Sequence, residues 1–242
     1  PTDLSDVNAH TYTFLMNGVT SLGNWTGIFR SGEKIRLRII NGSAMTYFDV
    51  RIPGLKMTVV AVDGQYVHPL TVDEVRRGAA ETFDVIVEPT GQDAFTIFAQ
   101  DNARTGYVSG TLAVREGLRA PVPAVDPRPL LTMADMGHGD HGAHGGGHAS
   151  APPAGGHAGH GAHDDHASPG AHAQHGNGGM QQRPDSETNT PLVDMQTMTP
   201  EPRLADPGIG LRDNGRHVAT YAELRSLFPD PDGREPGRTA EP

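Results

Sequence analysis

Residues 34–40 read Lys-Ile-Arg-Leu-Arg-Ile-Ile, and their alternation decides the fold. Ile35, Leu37 and Ile39 share one face, while Lys34, Arg36 and Arg38 share the other. That period of two marks a strand with one buried side. Working outward, residues 47–52 place Phe48, Val50 and Ile52 together, and residues 57–62 are a nearly continuous apolar run. Asp63-Gly64 follows that run and predicts a tight turn with positive φ. Residues 70–75, 82–87, 95–99 and 108–114 are further predicted strands, punctuated by Pro53-Gly54, Pro89-Thr90-Gly91 and Asp101-Asn102. Many short strands without a long amphipathic helix predict an all-β antiparallel sandwich or barrel.

Composition confines this core to the first half of the chain. Most aromatic residues fall before or at Tyr107, and Gly and Pro are abundant beyond it. The net charge of -10 argues against nucleic acid as a partner, because phosphate binding needs clustered Lys and Arg. The chain has no cysteine, which excludes disulfides, zinc-thiolate sites and a cysteine ligand to copper within it. No stretch reaches the roughly 18–20 apolar residues of a membrane-spanning helix. The sequence starts at Pro1 with nothing resembling a signal peptide and ends in a turn-rich segment, so the natural protein is expected to be longer.

Residues 120–131 carry Pro121, Pro123, Pro127 and Pro129 and are expected to run as an extended strap. From 137 to 179 the composition collapses to Gly, His, Ala, Asp and Pro. A segment so poor in apolar side chains cannot offset its ordering entropy, and disorder without a ligand is the expectation. Order is expected to resume near Asp206, with a turn at Asp213-Asn214-Gly215. A short helix is predicted over 220–227, with Thr220 and Glu223 spaced as a capping box and Pro229 ending it.

The chemistry lies in the middle tract. Of the 13 histidines, those at His138, His141, His144, His148, His157, His160, His163, His166, His172 and His175 crowd into one stretch. Several stand three residues apart, so in a flexible chain two or three neutral imidazoles can reach one ion. Met133 and Met136 precede the tract and Met195 and Met198 follow it. Thioether sulfur is soft and prefers Cu(I), whereas imidazole suits Cu(II), zinc and nickel. A region offering both donors fits copper in either oxidation state better than zinc. Asp140, Asp164 and Asp165 are too few carboxylates for Ca²⁺ or Mg²⁺. The plain alternative is a biased linker kept soluble by its histidines, with the methionines as apolar anchors. His10, His68 and His217 stand apart from other ligands and read as surface or hydrogen-bonding residues.

The residues also carry a family resemblance. The runs Phe14-Leu15-Met16-Asn17-Gly18 and Asn24-Trp25-Thr26-Gly27-Ile28-Phe29, the stretch from Gly32 to Phe48, and the segments 52–69 and 80–89 resemble a multicopper oxidase. More narrowly they are similar to the middle cupredoxin-like domain of the copper-resistance protein A family. Residues 206–215, 221–225 and 227–233 resemble that family's approach to its last domain. The resemblance implies a cupredoxin-like Greek-key β-sandwich over 1–119, a Pro-rich strap and copper-binding insert over 120–205, and a connector towards a last cupredoxin domain over 206–242. It implies a periplasmic enzyme of three domains that oxidises Cu(I) or phenolic-type substrates and reduces O₂ to water. Its coppers would be held by His-X-His and His-Cys-His elements of the first and last domains, which are the expected partners of this section. Neither pattern occurs here, so no catalytic residue carries over. The middle domain of that family is a spacer without copper. A reading from another class remains: a non-catalytic copper-sequestering or carrier protein built on the same sandwich.

Overall fold

The computed structural model describes residues 7–131, 135 and 203–229. Among the described residues nine strands form two facing sheets, β1 (Thr26–Ile28), β2 (Ile35–Ile40), β3 (Phe48–Arg51), β4 (Met57–Val62), β5 (Gln65–Val72), β6 (Glu74–Arg77), β7 (Thr82–Val87), β8 (Ala94–Asp101) and β9 (Tyr107–Ala113). One sheet has the order β1-β9-β8-β3-β6 and the other β2-β7-β4-β5. All pairings are antiparallel except β1 with β9. The result is an all-β sandwich of the class that the strand pattern predicts.

The core lies where the alternating apolar faces meet. Val50, Met57, Val59, Val72, Val75, Val85, Val87, Phe95 and Leu112 are buried in one contiguous cluster. Each such side chain contributes about 1.5–3 kcal/mol by leaving water. Asp63 and Gly64 both adopt positive φ, 46° and 81°, and join β4 to β5 as a two-residue turn.

Two elements differ from expectation. The strand predicted over 70–75 is divided between β5 and β6, which lie in different sheets. Val72 and Val75 are both fully buried although they stand three positions apart. One straight strand would send them to opposite faces, so the chain turns a corner at Asp73 and changes sheets. β5 also begins earlier than expected, and it holds Pro69 at a sheet edge, opposite the register shift between Val59 and Ala61. The predicted helix over 220–227 is one 3₁₀ turn, Tyr221–Glu223. Its capping box forms, with the Thr220 N–H donating to the Glu223 carboxylate at 3.0 Å. The chain then extends because the His68 N–H donates to the Arg225 carbonyl and the Leu227 N–H to the Tyr66 carbonyl. Pairing with the open edge of β5 outcompetes propagation of a short helix.

Asp84 of β7 anchors the edge strand β2. It stands directly opposite Arg38, accepts from Arg38 Nε at 3.0 Å, and accepts from Arg36 Nε at 3.0 Å. The Arg38 hydrogen bond, opposed by burial and reinforced by Arg36, holds the Asp84 carboxyl below the usual carboxylate range. A folded-state pKa below the unfolded value of about 3.9 contributes stability above that value. The contribution disappears as pH falls through the folded-state pKa. Asp84→Asn is therefore expected to lower the Tm clearly at pH 7 and much less at pH 3. An equal deficit at both would contradict this account of β2.

Candidate functional site

The donors singled out in the tract, from Met133, Met136 and His138 through His175 to Met195 and Met198, all lie outside the described residues. The structure instead shows how the chain is held on either side of them. Residues 120–131 run without regular elements, and Asp126 N–H donates to Gln100 Oε1 of β8 at 2.9 Å. The carbonyls of Ala120 and Pro121 accept from Thr96 Oγ1 at 3.1 and 3.0 Å. Residues 203–229 cover the free edges of β6 and β5, through bridges Glu74–Val218 and Val67–Ser226. Leu211 and Val218 of this segment are buried.

Both segments converge on a cluster of charges on the outer face of the five-stranded sheet. Arg51 of β3 pairs with Glu74 of β6 at 3.1 Å and with Asp126 of the strap at 3.2 Å. Arg216 of the returning segment reaches the same two carboxylates, Glu74 Oε2 at 2.7 Å and Asp126 Oδ2 at 2.5 Å. Gln100 Nε2 donates to Asp126 at 2.7 Å and Asn214 Nδ2 to Glu74 at 3.1 Å. Burial acts to raise the Asp126 carboxyl, but the Gln100 hydrogen bond and the charges of Arg51 and Arg216 outweigh it and hold it down. Beside this cluster, Asp49 binds Arg76 at 2.7 Å and Arg104 at 2.6 Å. Arg76 and Arg104 also donate to the carbonyls of Ile209 and Gly210. Arg212 joins Asp135 to Asp206, at 2.6 and 2.5 Å. The strap and the returning segment are thus paired to each other and to one sheet, and the tract between them is bracketed at both ends.

Sequence reasoning missed this cluster. The available signal was the polar half of each alternation, Asp49 and Arg51 in β3, Glu74 and Arg76 in β6. Polar alternation ordinarily means solvent, yet Asp49 and Glu74 are fully buried.

Among the described residues no group of three His, Cys, Asp or Glu side chains could hold a metal ion. His10, His68 and His217 are exposed and separate, and the His217 ring pairs with Glu223 at 2.6 Å. The His, Asp and Glu side chains of the described sandwich therefore do not converge on a set that fits a copper ion. Among the described residues no helix is long and apolar enough to cross a membrane.

The multicopper oxidase family model matches residues 3–117, which is the sandwich just described. Copper resistance protein A of Escherichia coli is 64% identical over the whole chain, which spans 43% of that protein. Copper resistance protein A of Pseudomonas syringae pv. tomato is 63% identical, again over 100% of this chain and 43% of its own length. The solved structure of Fet3p, a multicopper oxidase that functions in iron import, is 18% identical. It covers 44% of this chain and 22% of its own, with a TM-score of 0.40. Residues 3–117 thus form a multicopper oxidase domain, and the cofactor of that family is copper. Within that family the chain is similar along its full length to copper resistance protein A, and it spans less than half the length of those curated relatives.

Proposed function

We propose that this chain is the central section of a periplasmic copper-resistance multicopper oxidase that oxidises Cu(I) or phenolic-type substrates and reduces O₂ to water. The sandwich spaces a first and a last cupredoxin domain, and the tract over 137–179 captures copper for them. The observation carrying this reading is the 64% identity to a copper resistance protein over the full chain, tract included. The imidazole and thioether donors of the tract are the ligand types that suit copper in both oxidation states. Covalent tethering of the tract to the rest of the enzyme raises the effective copper concentration without any further contact.

Deleting residues 137–179 from the full-length enzyme tests the role of the tract. Cuprous turnover or cellular copper tolerance should fall severalfold, with the sandwich still folded. Unchanged turnover and unchanged tolerance together would remove the capture role. A full-length protein that binds copper yet consumes no O₂ with Cu(I) or a phenol would instead be the carrier. Recovery of the full-length protein outside the periplasmic fraction would overturn the location.

A further inference from the structure

A cavity of about 830 Å³ opens between the sheets beside β2, walled chiefly by Trp25, Leu37, Ile39, Phe48, Val50 and Val108. Arg77 is part of the same wall. Alternation along β6 puts Arg77 on the face of Val75, between the sheets, and both residues are fully buried. The guanidinium lies 3.3 Å from the centroid of the Phe83 ring, which belongs to the opposite sheet. Its three nitrogens Nε, Nη1 and Nη2 have no hydrogen-bond partner among the described residues. The carboxylates that act on it from a distance are engaged elsewhere. Glu81 accepts from the Gly78 N–H at 2.6 Å and the Tyr221 hydroxyl at 2.5 Å, and Asp63 accepts from the Thr82 N–H at 2.7 Å. Burial pushes the Arg77 guanidinium down to about 10, against the pull of Glu81 and Asp63.

The contrast with the other buried arginines is direct. Arg51 and Arg104 each lie against a carboxylate. Buried charge is ordinarily paired, so Arg77 has the chemistry of a site awaiting an anion. Arg36 and Arg38 also line the cavity but are held by Asp84, which leaves Arg77 as its one charge without a counter-ion. A planar guanidinium fork suits a carboxylate, and a largely apolar cavity of this size with few convergent polar groups is the usual form of a small-molecule site. We propose that this cavity binds an apolar monocarboxylate, its hydrocarbon body against Trp25, Leu37 and Val108 and its carboxylate on Arg77. The guanidinium is fully buried against Phe83, so the proposal requires the Arg77 side chain to turn towards the cavity on binding.

Trp25 is the single tryptophan of the chain and lines the cavity, so its emission reports occupancy. Decanoate and decanol share one chain length and differ in charge, and both are titrated into the full chain at neutral pH. Decanoate should shift Trp25 emission and bind at least tenfold more tightly than decanol. Arg77→Met should erase that preference, and Arg77→Lys should keep part of it. Absence of binding, equal binding of acid and alcohol, binding that leaves Trp25 unmoved, or a preference that survives Arg77→Met each overturns the proposal. Should Arg77→Met fail to fold, the acid–alcohol comparison and the Trp25 response of the unaltered chain still decide it.

Discussion

Replacing Glu74 with alanine is expected to destabilise the protein by about 3–5 kcal/mol, the cost of removing one partner from a buried ion pair. Glu74 is fully buried, and its two oxygens receive Arg51, Arg216 and Asn214. Without it, the buried Arg51 and the half-buried Arg216 share Asp126 alone. At about 2–4 °C per kcal/mol for a domain of this size, the Tm should fall by roughly 6–20 °C. The loss should be local as well as global. Hydrogen exchange should rise first in residues 120–131 and 203–218, because Glu74 and Asp126 hold both segments to the sheet.

Magnitudes separate this cluster from other ion pairs of the sandwich. Lys34–Glu88 is as close, 3.1 Å, yet its side chains are 72% and 55% exposed. Water screens that pair and its geometry is not held, so Glu88→Ala should leave the Tm essentially unchanged. The Glu74→Ala loss should also fail to add to that of Arg51→Met, since both act on one network. A Glu74→Ala protein melting within about 2 °C of the parent would show that the cluster is not what holds the strap and the returning segment.

The fold was legible wherever side chains obey a single period. Lys34 to Ile40 states its two faces outright, and Asp63-Gly64 states its turn. Legibility failed at Asp73, where a change of sheet shows in sequence only as the three-residue interval between Val72 and Val75. It failed also on the outer face of β3 and β6. The residues that bury that face are remote, since Arg51 meets Asp126 across 75 positions and Glu74 meets Arg216 across 142. A local pattern records which face is polar. Whether a distant segment will cover that face depends on the arrangement of the whole chain. The tract is a different case: its imidazole and thioether donors are legible as composition, and the capture role proposed for it calls for ligand density and no fixed geometry. Arg77 belongs with the failures, as one more polar residue in a short strand until the facing sheet is in place.

The donor chemistry of the tract also sets the pH at which copper should be held. Neutral imidazole binds metal and imidazolium does not, and the ordinary histidine pKa is about 6.5. Cu(II) bound to the full chain at pH 7.5 should therefore be released progressively below about pH 6, as protons displace it from the histidines. Thioether sulfur takes up no proton in this range, so Cu(I) held through Met133, Met136, Met195 and Met198 should persist to lower pH. Replacing the ten tract histidines, His138 to His175, with asparagine should abolish Cu(II) retention at pH 7.5 and leave part of the Cu(I) retention. Among the described residues no three His, Asp or Glu side chains meet in a competing site for Cu(II). Equilibrium dialysis with metal analysis, in the presence and absence of a reductant, separates the two oxidation states. Full retention of Cu(II) at pH 4, or undiminished Cu(II) binding after the histidines are replaced, would place the copper on donors other than imidazole. The capture role proposed for the tract would then fall, and the tract would be a spacer between the strap and the returning segment.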